Sequence, residues 1–134
     1  MKILVIDDSF IAREFTKKII KFCCREDAPE IFEAANGAKA LDLIKSESDM
    51  SLIICDINMP EMNGKEFIQT IKSDASLTSA PIIFITSLAS DARVTELKNE
   101  GAYDVLAKPI QMEKLKGILI DLNIIKTNKA SWSD

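Results

Sequence analysis

Five short apolar runs alternate along this chain with longer stretches of helical period. Residues 3–6 form a continuous run, and Ser9 is placed to cap a helix whose apolar positions Ile11, Phe15, Ile19 and Phe22 recur at helical spacing. Residues 31–34 read as a second, weaker strand, after which Asn36-Gly37 turns the chain into a helix carrying Ala40, Leu41 and Ile44. Residues 52–55 are the third strand, followed by the loop 56–63 and a helix that opens at Gly64 and uses Phe67, Ile68 and Ile71. Residues 82–85 are the fourth. The helix after it has few core anchors, chiefly Val94 and Leu97, so it should be loosely held until Gly101 ends it with a left-handed cap. Residues 105–107 are the fifth strand, and Met112, Leu115, Leu119 and Leu122 mark the last helix. Strands that are apolar throughout, instead of alternating with polar residues, are buried on both faces. The pattern therefore predicts an α/β fold: a five-stranded parallel sheet with helices on both faces.

The chain has 134 residues, 47% of them hydrophobic and 28% charged, with only four glycines and four prolines, as expected of one compact domain. A net charge of −4 without any block of Lys and Arg argues against direct nucleic-acid binding and points to protein partners and a cation. No apolar run approaches the roughly 20 residues of a membrane span, so no membrane association is expected. The N-terminus enters a strand directly, leaving no room for a signal peptide. Cys23, Cys24 and Cys55 lack the spacing of zinc or redox sites, and a cytoplasmic protein with reduced thiols is the simplest expectation. The chain contains no histidine. That removes the usual general base and every Ser-His or Cys-His arrangement, leaving carboxylates, Lys and hydroxyls as the available chemistry.

Those groups are concentrated where such a fold places its binding crevice, at the carboxyl ends of the strands: Asp7 and Asp8, Asp56, Thr86 and Lys108. Each has a bland reading as a turn residue, a helix cap or a solvated Lys. Their joint occurrence on one edge is much less probable by chance. Two carboxylates about 4 Å apart repel by roughly 4 kcal/mol at an effective dielectric near 20, so an ionised cluster calls for a cation. The pattern suggests a metal site containing a reactive carboxylate.

These residues resemble the receiver domain of two-component response regulators over almost the whole stretch 2–123. The most specific segment is Asp-Ile-Asn-Met-Pro-Glu-Met-Asn-Gly at 56–64; Asp7-Asp8-Ser9, Arg13, Thr86 and Lys108-Pro109 are further marks in the expected order. The resemblance implies a flavodoxin-like strand order 2-1-3-4-5, a receiver domain at 1–123 and a tail at 124–134. It implies that Asp56 is a phosphoacceptor, taking its phosphoryl group from a phosphohistidine on a sensor histidine kinase or a histidine phosphotransfer protein. Asp8, Asp56 and the backbone carbonyl of Asn58 would then bind Mg²⁺ directly, with Mn²⁺ as a substitute, and Asp7 would act through water. Lys108 and Thr86 would engage phosphoryl oxygens, and the backbone amides of Met59 and Ser87 would add donors. Pro60 would stiffen the loop, Gly64 would allow the turn into the next helix, and a cis bond before Pro109 would aim the ammonium inward.

Such a domain is a signalling switch instead of an enzyme, its only chemistry being Mg-dependent self-phosphorylation from a phosphodonor and slow self-dephosphorylation. Thr86 would move toward the phosphate, and the loosely held helix at Val94 and Leu97 would shift, changing the surface offered to a downstream protein target by a monomer or weak dimer. Many receivers carry an aromatic where this chain has Val105; Tyr103, two residues earlier, is a candidate substitute. Phe10 is a candidate docking residue for the phosphodonor, and Trp132, in the polar stretch 126–134, a candidate anchor or merely part of a loose end. The alternative function is a pseudo-receiver, an interaction module that takes no phosphate. A flavin protein or an aspartyl phosphatase of similar architecture fits less well: the first loop has no phosphate-cradling glycine, and no D-x-D pattern follows the first strand.

Overall fold

A computed structural model describes residues 1–26, 28–59 and 62–125; Pro60 and Trp132 lie outside the described residues. Strands β1 (Lys2–Ile6), β2 (Glu30–Ala34), β3 (Met50–Asp56), β4 (Ile82–Thr86) and β5 (Asp104–Ala107) alternate with helices α1 (Phe10–Cys23), α2 (Gly37–Ser46), α3 (Gly64–Ser73), α4 (Asp91–Asn99) and α5 (Met112–Asp121). The sheet is parallel throughout, in the order β2-β1-β3-β4-β5. The expected architecture and strand order are those observed.

Strand geometry explains the apolar runs, because successive side chains point to opposite faces. Leu4, Ile6, Ile53, Cys55, Ile82 and Phe84 enter a core shared with α2, α3 and α4. Their neighbours Ile3, Val5, Leu52, Ile54, Ile83 and Ile85 enter a second core shared with α1 and α5. The chain stays on this body to the last described residues: Ile124 is buried in the second core and Ile125 packs against it.

Two expectations about helix faces need correction. In α1 the buried residues are Thr16, Ile19 and Ile20, while Ile11, Phe15 and Phe22 are 79%, 47% and 51% exposed. The period is helical, but the sheet-facing stripe is turned by about one residue, or roughly 100°, from the most apolar one. In α5, Met112 is exposed and Leu122 lies beyond the helix as its cap, so Leu115, Ile118 and Leu119 carry the packing.

The caps follow the sequence closely. Ser9, Asn36, Asn63 and Ser90 each accept an amide hydrogen from the first turn of their helix, and Asn63 forms a capping box with Glu66. Helix α4 keeps only Leu97 fully buried, with Val94 packed at the margin, as expected. It ends in a Schellman motif: Gly101 has φ 111°, its N–H donates to Lys98 and that of Ala102 to Leu97. Gly64 answers a different demand from the turn anticipated. A Cβ there would lie 2.8 Å from the Phe84 ring and 2.9 Å from the Ile57 backbone, so close approach of α3 to the end of β3 requires glycine.

Candidate functional site

The register of β1 on β3, with Ile6 beside Cys55, brings the residue that follows β1 next to the residue that ends β3. Asp7 and Asp56 therefore meet at one edge of the sheet, 6% and 5% exposed, with Asp8 beside them and open to solvent. One carboxylate oxygen from each of the three lies within 4.8 Å of the others. Lys108, just after β5, reaches back so that its Nζ is 3.3 Å from Asp56 Oδ1 and 3.5 Å from Asp7 Oδ2. Its backbone N–H donates to the Thr86 carbonyl, and its bond to Pro109 is cis.

Charge follows geometry. Burial and the neighbouring Asp7 push the Asp56 carboxyl above its ordinary range, against the pull of Lys108 and of the Asn58 backbone N–H. For Lys108, burial alone favours the neutral amine, but Asp56 and Asp7 outweigh it and raise the ammonium above its usual value. Three carboxylates against one ammonium leave the cluster under-neutralised. An all-oxygen donor set of this density, partly open to water, fits a hard divalent cation such as Mg²⁺ better than a softer metal.

Asp7 is fixed on several sides. Its Oδ1 accepts the Ser9 N–H at 2.9 Å, its own N–H donates to Ala34 at 3.1 Å, and its carbonyl accepts Arg13 Nη1 at 2.7 Å. Arg13 Nε in turn donates to Glu33 Oε1 at 3.1 Å, and Lys17 bridges Glu33 and Glu14. The sequence reading singled out Arg13 but missed Glu33 and Lys17. The signal was an acidic residue interrupting the apolar run at 31–34.

Thr86 ends β4 at 2% exposure, and its Oγ1 accepts the Leu88 N–H at 3.2 Å. Ser87 and Asn58 are exposed, while Met59 is buried in the first core. The Cys55 thiol donates to the Asp56 carbonyl, and burial holds it well above its ordinary pKa. Tyr103 stands one residue before β5 and is 41% exposed, whereas Val105 is buried. A cleft of about 460 Å³ opens beside the carboxylates, floored by Val5, Ile54 and Ile85 and walled by Ile11, Phe15 and Ile110. Phe10, 63% exposed, stands nearby at the start of α1.

This edge of carboxylates and lysine lies within the segment 3–120 that matches the response regulator receiver domain family. The chain belongs to that family. The receiver is 33% identical to a chemotaxis protein CheY homolog of Campylobacter jejuni, over 91% of this chain and 92% of that protein. It is 34% identical to chemotaxis protein CheY1 of Helicobacter pylori, over 87% and 91%. Among solved structures, Vibrio cholerae CheY4 superposes with a TM-score of 0.73 at 29% identity, covering 90% of the receiver and 97% of that chain. The N-terminal domain of an uncharacterized Wolinella succinogenes protein gives 0.76 at 28%, covering 92% and 94%. The receiver also spans about half, 51%, of the H. pylori transcriptional regulatory protein CrdR, at 34% identity. Receivers are signalling switches of two-component systems, and among the described residues no helix is long and apolar enough to cross a membrane.

Proposed function

We propose that this receiver is a phosphorylation switch in which Asp56 is the acceptor. The observation that carries the reading is the contact set of Asp56: buried, crowded by two carboxylates, and faced at 3.3 Å by Lys108. Asp7 suits the role less well, since one oxygen accepts the Ser9 amide and the other faces Lys108. An ionised Asp56 oxygen attacks the phosphorus of a phosphohistidine, the P–N bond breaks with its electrons passing to the imidazole, and an acyl phosphate forms. The histidine absent from this chain is supplied by a partner sensor kinase or histidine phosphotransfer protein.

Asp8, Asp56 and the Asn58 carbonyl would hold Mg²⁺ or Mn²⁺, with Asp7 acting through water. When bound, the cation neutralises carboxylate and phosphoryl charge. The rest is positioning and charge neutralisation by the chain itself. Lys108 moves from pairing with two carboxylates to pairing with a phosphoryl oxygen. The amides of Met59 and Ser87 are further donors. Thr86, whose hydroxyl accepts from Leu88, has only to exchange that contact for donation to the phosphate. Its displacement draws on the β4–α4 loop and on a helix with one buried anchor, Leu97. The surface of α4, β5 and α5, including Tyr103, is where a downstream protein reads the state. The phosphodonor docks over the cleft at Ile11 and Phe15, whose apolar side chains remain exposed beside the acceptor.

The test is incubation with a small phosphodonor and Mg²⁺, followed by intact mass. Stoichiometric gain of one phosphoryl group, abolished in Asp56→Asn, is the expected result. No gain in the wild type would instead make the protein a non-phosphorylated interaction module.

A further inference from the structure

Glu33 interrupts the apolar run at 31–34, and the proposed phosphoryl transfer makes no use of it. Strand alternation puts it on the same face as Ile31, which packs in the core under α1, so its carboxylate stands against that helix. Both oxygens are occupied there: Oε1 accepts Arg13 Nε at 3.1 Å, and Oε2 accepts Lys17 Nζ at 2.9 Å. Lys17 is itself paired with Glu14 at 3.0 Å. The Arg13 side chain is 15% exposed and uses the other arm of its guanidinium, Nη1, to donate to the Asp7 carbonyl at 2.7 Å. One planar guanidinium thus ties the penultimate residue of β2 to the turn that follows β1.

We propose that Glu33 is a positioning residue for the divalent cation, acting through Arg13 on the peptide between Asp7 and Asp8. The Asp7 carbonyl and the Asp8 N–H belong to one rigid plane. A bond that fixes that carbonyl therefore fixes the backbone from which the exposed Asp8 side chain departs. The Asp7 N–H bond to Ala34 and the Oδ1 contact with the Ser9 amide hold the rest of Asp7, so the Arg13 bond completes its support. Glu33 has a second effect. Three carboxylates face Lys108 alone at this edge, so a guanidinium released by Glu33 has an attractive partner in Asp8, where it competes with the cation. Held at Nε, Arg13 serves the backbone instead of the carboxylates. The proposal rests on the reading of Asp8 and Asp56 as ligands of the cation. Partners that orient metal ligands in this way are worth about 10–100-fold in affinity, and Glu33 stands one contact further out.

Calorimetric Mg²⁺ titration of the full chain, arranged as a double-mutant cycle, tests the proposal. Glu33→Gln should weaken binding by about fivefold and Arg13→Ala by about tenfold, with urea midpoints close to that of the wild type. Arg13→Lys keeps the charge but loses the two-armed reach, and should behave like Arg13→Ala. The deciding comparison is Glu33→Gln in the Arg13→Ala background, where no further loss is expected. An equal loss in both backgrounds would overturn the proposal, because Glu33 would then act only as a distant negative charge. Unchanged affinity in Glu33→Gln alone would overturn it as well. A metal-free readout runs in parallel: in EDTA the Asp8 amide NMR signal should move in Glu33→Gln, and a stationary signal counts against the proposal. A wild type that takes up no Mg²⁺ would remove the ligand reading and this inference together, whereas uptake indifferent to Glu33→Gln removes this inference alone.

Discussion

Replacing Asp56 by Asn should stabilise the metal-free fold while abolishing phosphorylation. The Asp56 carboxylate, 6% exposed, faces Asp7 and Asp8 with oxygens within 4.8 Å. At an effective dielectric near 20, each such pair repels by about 3.5 kcal/mol, and the Lys108 ammonium at 3.3 Å attracts by about 5 kcal/mol. Two repulsions exceed one attraction by about 2 kcal/mol, and burial of the charge acts in the same direction. The raised pKa of Asp56 carries the same sign: the ionised form is disfavoured in the fold relative to the unfolded chain. An isosteric amide should therefore raise unfolding stability by about 1–2 kcal/mol, measured by urea denaturation in EDTA. The advantage should be full above the folded-state pKa and vanish as pH falls below the reference value of 3.8, where both states carry a neutral acid. Saturating Mg²⁺ should reverse or erase the ranking, since a ligand at 100 times its Kd stabilises the wild type by about 2.7 kcal/mol and the variant has lost a ligand. A variant less stable than the wild type in EDTA, or equal gains from Mg²⁺, would refute the electrostatic reasoning.

Other perturbations probe the supports of the site. Arg13→Ala removes the donor to the Asp7 carbonyl and should weaken Mg²⁺ binding by about tenfold in calorimetry, with the melting temperature little changed. Glu33→Gln should cost under about 1 kcal/mol, because the bridges to Lys17 and Arg13 are partly solvated. Those partners hold the Glu33 carboxyl below its reference of 4.5, so its contribution is present above 4.5 and disappears as pH falls through the lower folded value. Urea titrations over a pH series should show the full difference at pH 7 and a smaller one as pH falls below 4.5. Gly64→Ala forces a methyl to within 3 Å of the Ile57 backbone and should destabilise by about 2–3 kcal/mol in urea, while keeping the phosphorylatable Asp56.

Strands β1, β3 and β4 were legible because burial on both faces leaves an unbroken apolar run, whereas β2, interrupted by Glu33 and mostly unburied, read more weakly. The candidate site was legible because Asp7, Asp8, Asp56, Thr86 and Lys108 each follow or end an apolar run. Strand order came from family resemblance, since periodicity carries no information about which strands are neighbours. The face of α1 was misread for a physical reason. Periodicity weighs side chains by hydrophobicity alone, and Phe15 and Phe22 outweigh Thr16 and Cys23, although the smaller pair fits close against the sheet. The Arg13–Glu33 tie was hidden for the opposite reason. It joins residues 20 apart that only the pairing of β1 with β2 makes neighbours.

Helix α4 has one buried side chain, Leu97, between a Ser90 cap and the left-handed Gly101. A rod held by one buried side chain, with Val94 only marginally packed, can pivot at small cost in packing, so its resting and displaced poses should differ by little free energy. A modest stimulus then suffices: a tenfold change in their ratio needs only about 1.4 kcal/mol, within reach of one or two charge-assisted hydrogen bonds. Sensitivity here comes from what the helix lacks.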